Sequence, residues 1–202
     1  MARIGWGRIL AGVAAVTAAG AAYVYIKQRK ARAPLHETIE SDGAFEIRRY
    51  PDLLMLETVQ QGSRDRALGN GFGLLADYMF GEGREGDEIP IVMPVFGEAL
   101  AGDAWKIRFV LPAGTDPATL APPGHGIQIT ERPARDVAVI SVPGRPTDKL
   151  FARRETELRA WIVARSLQCA GPVEHAYYNS PLKPGTAHPN ALLIPIARPS
   201  EG

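Results

Sequence analysis

The chain has 202 residues, 46% hydrophobic and 22% charged, with a formal net charge of +1, a composition that fits a globular domain and not a disordered chain. Its single cysteine, Cys169, excludes an intrachain disulfide and any multi-cysteine zinc or iron–sulfur site. Residues 1–32 hold six basic residues and no acid, leaving 17 of the 23 basic residues against all 22 acidic ones in the remainder, and so acidic a body argues against nucleic acid as a partner.

The first predicted element is a helix over residues 9–26, ILAGVAAVTAAGAAYVYI, an uncharged run between Arg8 and Lys27. As a helix it is roughly 27 Å long, enough for a thin hydrocarbon core. Trp6, Tyr23 and Tyr25 lie near its ends, where aromatic rings favour the membrane interface. Two readings stay open: a retained transmembrane anchor, or a signal peptide with a small-residue step at Ala19-Gly20-Ala21. Lys27, Arg29, Lys30 and Arg32 outnumber Arg3 and Arg8, which for an inner-membrane anchor puts the body in the cytoplasm. A cleaved signal puts it in the periplasm or outside the cell. Residues 1–32 are thus read as anchor or signal segment, 33–43 as a linker punctuated by Pro34 and Gly43, and 44–198 as the folded body.

Strands follow from period-two alternation between turn residues. They are expected at Phe45–Tyr50, Leu53–Val59, Ile89–Phe96, Trp105–Leu111, Ile127–Glu131, Val137–Val142, Glu174–Asn179 and Ala191–Ile196. Pro90 and Pro94 mark the third as an edge or bulged strand, because proline cannot donate to a ladder. A helix is expected over about 64–80, where Leu68, Phe72, Leu75, Ala76 and Met79 form one apolar stripe between a Ser63 cap and a Gly81 stop. A second is expected over about 148–169, started by Thr147 or Asp148 and stopped by Gly171-Pro172.

The element order is strand, strand, helix, strand, strand, twice over. Residues 45–62 align with 127–144 at a constant offset, with Ile47/Ile129, Pro51/Pro133 and Gly62/Gly144 identical. This predicts an α+β fold: a distorted antiparallel β-barrel of about eight strands, built from a duplicated half and flanked by two α-helices.

Gly81-Glu-Gly-Arg-Glu-Gly86 matches G-x-G-x-x-G but follows a helix and precedes a strand, the reverse of a dinucleotide fingerprint. Gly69, Gly71 and Gly73 each weaken the first helix by about 1 kcal/mol relative to alanine. Either the helix packs closely on the sheet there or a flat ligand approaches its backbone. No nucleophile elbow, HExxH or phosphate-binding loop occurs, and no catalytic residue or metal ligand is proposed. The long loop of 177–190, with two tyrosines, Lys183 and His188, is a candidate functional segment.

Seven stretches together resemble the SOUL haem-binding protein family: Phe45–Pro51; Gly71-Phe72 with Leu75–Tyr78 and Phe80-Gly81; Ile89–Val95; Trp105–Pro112; Pro133–Arg135 with Val137–Val139; Tyr178–Pro181; and the strand from Asn190. The resemblance runs in order from about residue 36 to 197. It implies a distorted barrel with two flanking helices. It also implies haem or another porphyrin held, weakly ligated, in a shallow apolar groove between the first helix and the last loop, here 64–80 and 179–190. On that reading Leu68, Phe72, Leu75 and Met79 cover one face of the macrocycle, and Arg64, Arg66 and Lys183 are the cations for its propionates. His188 is the one residue of axial-ligand chemistry in the loop. The expected function is membrane-tethered, non-catalytic haem or tetrapyrrole binding. The alternative is a hydrophobic-effector or protein-interaction module of the same fold that ignores haem, which Gly73 favours by standing where the family carries a basic residue.

Overall fold

The computed structural model describes residues 35–81, 88–144, 147–178 and 189–197. The chain divides into units Met1–Arg32 and Ala33–Gly202. The helix expected over 9–26 lies outside the described residues, and among those described no helix is long and apolar enough to cross a membrane.

Among the described residues the body has ten strands and two α-helices: β1 Glu37–Asp42, β2 Phe45–Tyr50, β3 Leu53–Gln61, α1 Arg64–Phe80, β4 Val92–Leu100, β5 Ala104–Val110, β6 Gln128–Arg132, β7 Arg135–Val142, α2 Asp148–Ala164, β8 Gln168–Cys169, β9 Glu174–Tyr177 and β10 Asn190–Ala197. One antiparallel sheet runs β1-β2-β7-β10-β9-β4-β5-β3-β6, with β8 added to β10. Pairing each element of 45–110 with its counterpart in 128–197 exchanges β2 with β6, β3 with β7, β4 with β9 and β5 with β10. Without β1, the strand order then reads the same in both directions. The duplication expected from sequence is thus written into the topology.

The expected barrel is not closed. β1 and β6 end the sheet and do not pair with each other. Two short connections, Pro51-Asp52 between β2 and β3 and Pro133-Ala134 between β6 and β7, join the two ends of the sheet. Neither makes a hairpin: β2 pairs with β7 and β3 with β6. Each connection carries the chain from one end of the sheet to the other, and the two are tied where the Ala134 amide donates to the Asp52 carboxylate at 2.8 Å.

α1 has the predicted span. Gly81 ends it with φ of 83°, its amide reaching the Asp77 and Tyr78 carbonyls, whereas the Ser63 side chain makes no cap bond. α2 starts on the Thr147 hydroxyl, which accepts from the Leu150 amide, but it ends at Ala164 and not at 169. β1 occupies most of the expected linker, paired with β2. β4 is central, between β5 and β9, and not an edge strand. It is the bulged strand instead: Pro94 is taken up by a register shift between Val92 and Phe96, with a cis Met93–Pro94 bond inside it, and Pro90 precedes the strand.

Alternation sorts the core into three parts. Leu56, Ile107, Phe109 and Ile127 pack under α1. Ala138, Ile140, Leu192 and Ile194 pack under α2. On the opposite, inward face Tyr50, Met55, Phe96, Val110, Val139 and Leu193 pack together.

Candidate functional site

The stripe of α1 divides into buried and open parts. Leu75 and Met79 are fully buried in the core, so neither offers a surface to a ligand. Leu68 and Phe72 are half-buried at the edge of the same cluster, with Phe72 edge-on to Phe109 at 5.1 Å between ring centroids. Gly71 packs on β5: a Cβ there would lie 2.7 Å from Ile107 Cγ1. Gly69 and Gly73 differ, with nothing within 4 Å of where their Cβ atoms would stand. They leave a side-chain-free strip along the outer surface of α1, with exposed Arg66 beside it. Close packing on the sheet therefore holds at Gly71, while the backbone at Gly69 and Gly73 is open.

The expected propionate cations separate. Arg64 is buried, pairs with Asp65 at 2.9 Å and Asp148 at 2.7 Å, and lies 4.9 Å from the Phe151 ring centre, which makes it a tie between the starts of the two helices. Arg66 has no acidic partner among the described residues. Lys183 and His188 lie outside the described residues.

Arg64 adjoins an aromatic seam that sequence reasoning missed. His175 on β9 sits 4.3 Å from Phe151 and 5.2 Å from Trp105 between ring centroids, and its Nδ1 lies 3.3 Å from the Tyr177 hydroxyl. Burial, and then the Arg64 charge, hold its imidazole down at about 3. Half-buried His36 is held at about 4 by burial and Arg48, partly opposed by Glu46.

A histidine that titrates near 6.5 unfolded and near 3 folded takes up a proton only on unfolding between those values. The resulting stability is complete above about pH 6.5 and is lost as pH falls toward 3. His175 alone then accounts for about 2 kcal/mol lost at pH 5, and His36 adds in the same direction. His175→Gln is expected to flatten the fall of urea stability between pH 6.5 and 4. Parallel wild-type and variant profiles would show that the seam does not exclude the proton.

The inward face carries charge. Arg108 donates to Glu57 at 2.7 Å and Glu98 at 2.8 Å. Glu174, fully buried, receives both Arg132 and Arg135, the latter at 2.8 Å. The signal for Glu174 was its parity: Glu174 and Ala176 alternate with His175 and Tyr177, which places Glu174 on the inward side of β9.

Where the two connections meet, the sheet leaves a cavity of about 1060 Å³ lined by 35–37, 49–54, 111–115, Pro117 and 131–134. Among the described residues no group of three or more acidic, histidine or cysteine side chains could hold a metal ion.

Solved structures share this architecture at low identity. The C-terminal domain of EcmrR superposes with a TM-score of 0.57 at 10% identity, covering 82% of this chain and 99% of that one. A hydrolase from Listeria innocua gives 0.55 at 12%, covering 79% and 94%. An uncharacterized conserved protein from the same organism gives 0.53 at 12%, covering 75% and 92%. At these identities the likeness concerns the fold alone. Among curated proteins none matches the chain. The family model of the SOUL heme-binding protein matches residues 31–195. With that match spanning the whole sheet and both helices but for two residues of β10, the chain belongs to the SOUL haem-binding protein family.

Proposed function

We propose that the chain is a non-catalytic tetrapyrrole carrier that holds a flat macrocycle against the outer surface of α1, with residues 9–26 tethering it to a membrane. The observation that carries the reading is the open strip at Gly69 and Gly73. A planar apolar ligand gains most where no side chain holds it off the backbone. Leu68 and Phe72 supply apolar contact at the strip's edge, and Arg66 supplies a cation for a propionate. Family membership supports the ligand class. The tether rests on the uncharged run between Arg8 and Lys27 and the basic residues after it.

Titrating haemin into the full chain is expected to shift and sharpen the Soret band. Gly73→Leu, which fills the strip with a better helix former, is expected to weaken binding at least tenfold without lowering the thermal midpoint. A wild-type spectrum indistinguishable from free haemin sinks the proposal. The burial of Leu75 and Met79 favours a second reading, a protein-interaction module of the same fold. An unshifted Soret band would select it.

A further inference from the structure

We infer that α1 pairs antiparallel with α1 of a second copy of this chain, about a two-fold axis. The pairing covers the strip at Gly69 and Gly73, so a partner copy and a macrocycle compete for one face. The dimer stands apart from the tetrapyrrole reading, whereas the competition rests on it.

Arg66, Asn70, Gly73 and Asp77 follow one another at intervals of four, three and four, which sets them in one line along the helix. Fully buried Leu75 and Met79 lie on the opposite side, so the line faces outward, and Arg66, Asn70 and Asp77 are exposed. Its two ends carry opposite charges. Among the described residues the Arg66 side chain meets no acid and the Asp77 side chain no base. α2 differs: Arg153 and Arg154 both reach Glu157, and Arg159 reaches Glu155, so its charges are matched along its own face.

Arg66 and Asp77 also oppose the dipole of their own helix. Arg66 is the third residue of α1, at the positive end, and Asp77 stands in the last turn, at the negative end. An antiparallel partner reverses both relations, because it brings its negative end to Arg66 and its positive end to Asp77.

The line is self-complementary in that arrangement. With the axis level with Gly71 and Phe72, Arg66 of each copy stands opposite Asp77 of the other, and Asn70 opposite Gly73. A two-fold contact makes each of these pairs twice. Nothing lies within 4 Å of the Cβ position at Gly69 or Gly73. The Asn70 side chain of one copy therefore has an open hollow over Gly73 of the other, and the two helix axes approach closely. Parallel pairing in register would set Arg66 against Arg66 and Asp77 against Asp77, which like charges forbid. Exposed ion pairs are individually weak and screened by salt, so the dimer is reversible and a ligand on the strip displaces it.

The test is sedimentation of the full chain in a neutral detergent, first without haemin. The wild type is expected to associate reversibly, and less so as salt rises. Arg66→Asp and Asp77→Arg each set like charges against one another at both ends of the contact, and each is expected to weaken association about tenfold or more. Both changes in one chain restore opposite pairs and should restore association. Mixing the two single variants should restore it as well, as a heterodimer. A wild type that stays monomeric overturns the inference, as do single variants that associate like the wild type, or a double variant and a mixture that stay apart. Haemin is then expected to raise the monomer fraction of the wild type. Haemin bound to an intact dimer overturns the competition. An unshifted Soret band beside a dimer with the expected charge pattern sinks the tetrapyrrole reading alone and leaves the dimer supported.

Discussion

Replacing Glu174 by alanine is expected to lower the free energy of unfolding by about 3–5 kcal/mol, the range for removing one partner of a buried ion pair. Glu174 is fully buried, and the guanidinium groups of Arg132 and Arg135 both end on it. Without the carboxylate, Arg132 and Arg135 lose their direct acceptor in a buried site, and the nearest other carboxylates, Glu57 and Glu98, are already engaged by Arg108. The loss arises mainly from the stranded charges and much less from any strength of the pair in isolation. A direct consequence separates these accounts. Replacing Glu174, Arg132 and Arg135 together with apolar residues of similar volume should recover most of the stability, since a network removed whole leaves no orphan. Urea unfolding of the single and triple variants decides it. A loss below about 1 kcal/mol for the single change would mean that water or backbone rearrangement shields the arginines.

The second large effect is expected at Gly71. Alanine is the better helix former by about 1 kcal/mol, so on propensity Gly71→Ala should stabilise α1. The structure reverses the sign. The new methyl would sit 2.7 Å from Ile107 Cγ1, 3.0 Å from Ile107 Cβ and 3.3 Å from Thr58 Cγ2. Ile107 and Thr58 belong to strands paired on both sides and cannot retreat, so the helix must lift. Overpacking of this kind costs typically about 1–3 kcal/mol. Gly69→Ala is the control, because nothing stands within 4 Å of its Cβ position, and it should raise the midpoint. Thermal unfolding of the two variants should move in opposite directions. A rise in both would show that the helix–sheet contact is looser than described.

Local signals carried much of this fold in the sequence. The period of α1 and its Gly81 stop set its limits to the residue, and alternation located most of the strands. The offset of Pro51 from Pro133 disclosed the repeated half. What escaped was set by partners distant in sequence. Nothing in Glu37–Asp42, exposed throughout and apolar only at Ile39, signals a strand until β2 is there to pair with it. The prolines around β4 suggested an edge or a bulge, and the register shift between Val92 and Phe96 bears out the bulge, in a strand that lies centrally. Whether the end strands pair depends on partners far apart in sequence, which spacing cannot reveal, and β1 and β6 stay unpaired with each other. At the site, the stripe of α1 was legible but its division was not. Leu75 and Met79 are fully buried whereas Leu68 and Phe72 stay half-buried at the cluster's edge, a division set by tertiary packing. The Arg64 charge likewise pointed toward a ligand until Asp148, far along the chain, proved to hold it.

The reversible strand order has a consequence for how the body assembles. Each repeat lends its leading strand to the other: β2 completes the sheet around β7, and β6 completes it around β3. Neither repeat owns a finished hydrogen-bonded surface, and the junction of β4 with β9 spans only Val95 to Gly97. Such reciprocity leaves no stable halfway structure in which one repeat is formed and the other is not. Folding becomes a single concerted event that waits on chain segments some ninety positions apart, and it is slow for that reason.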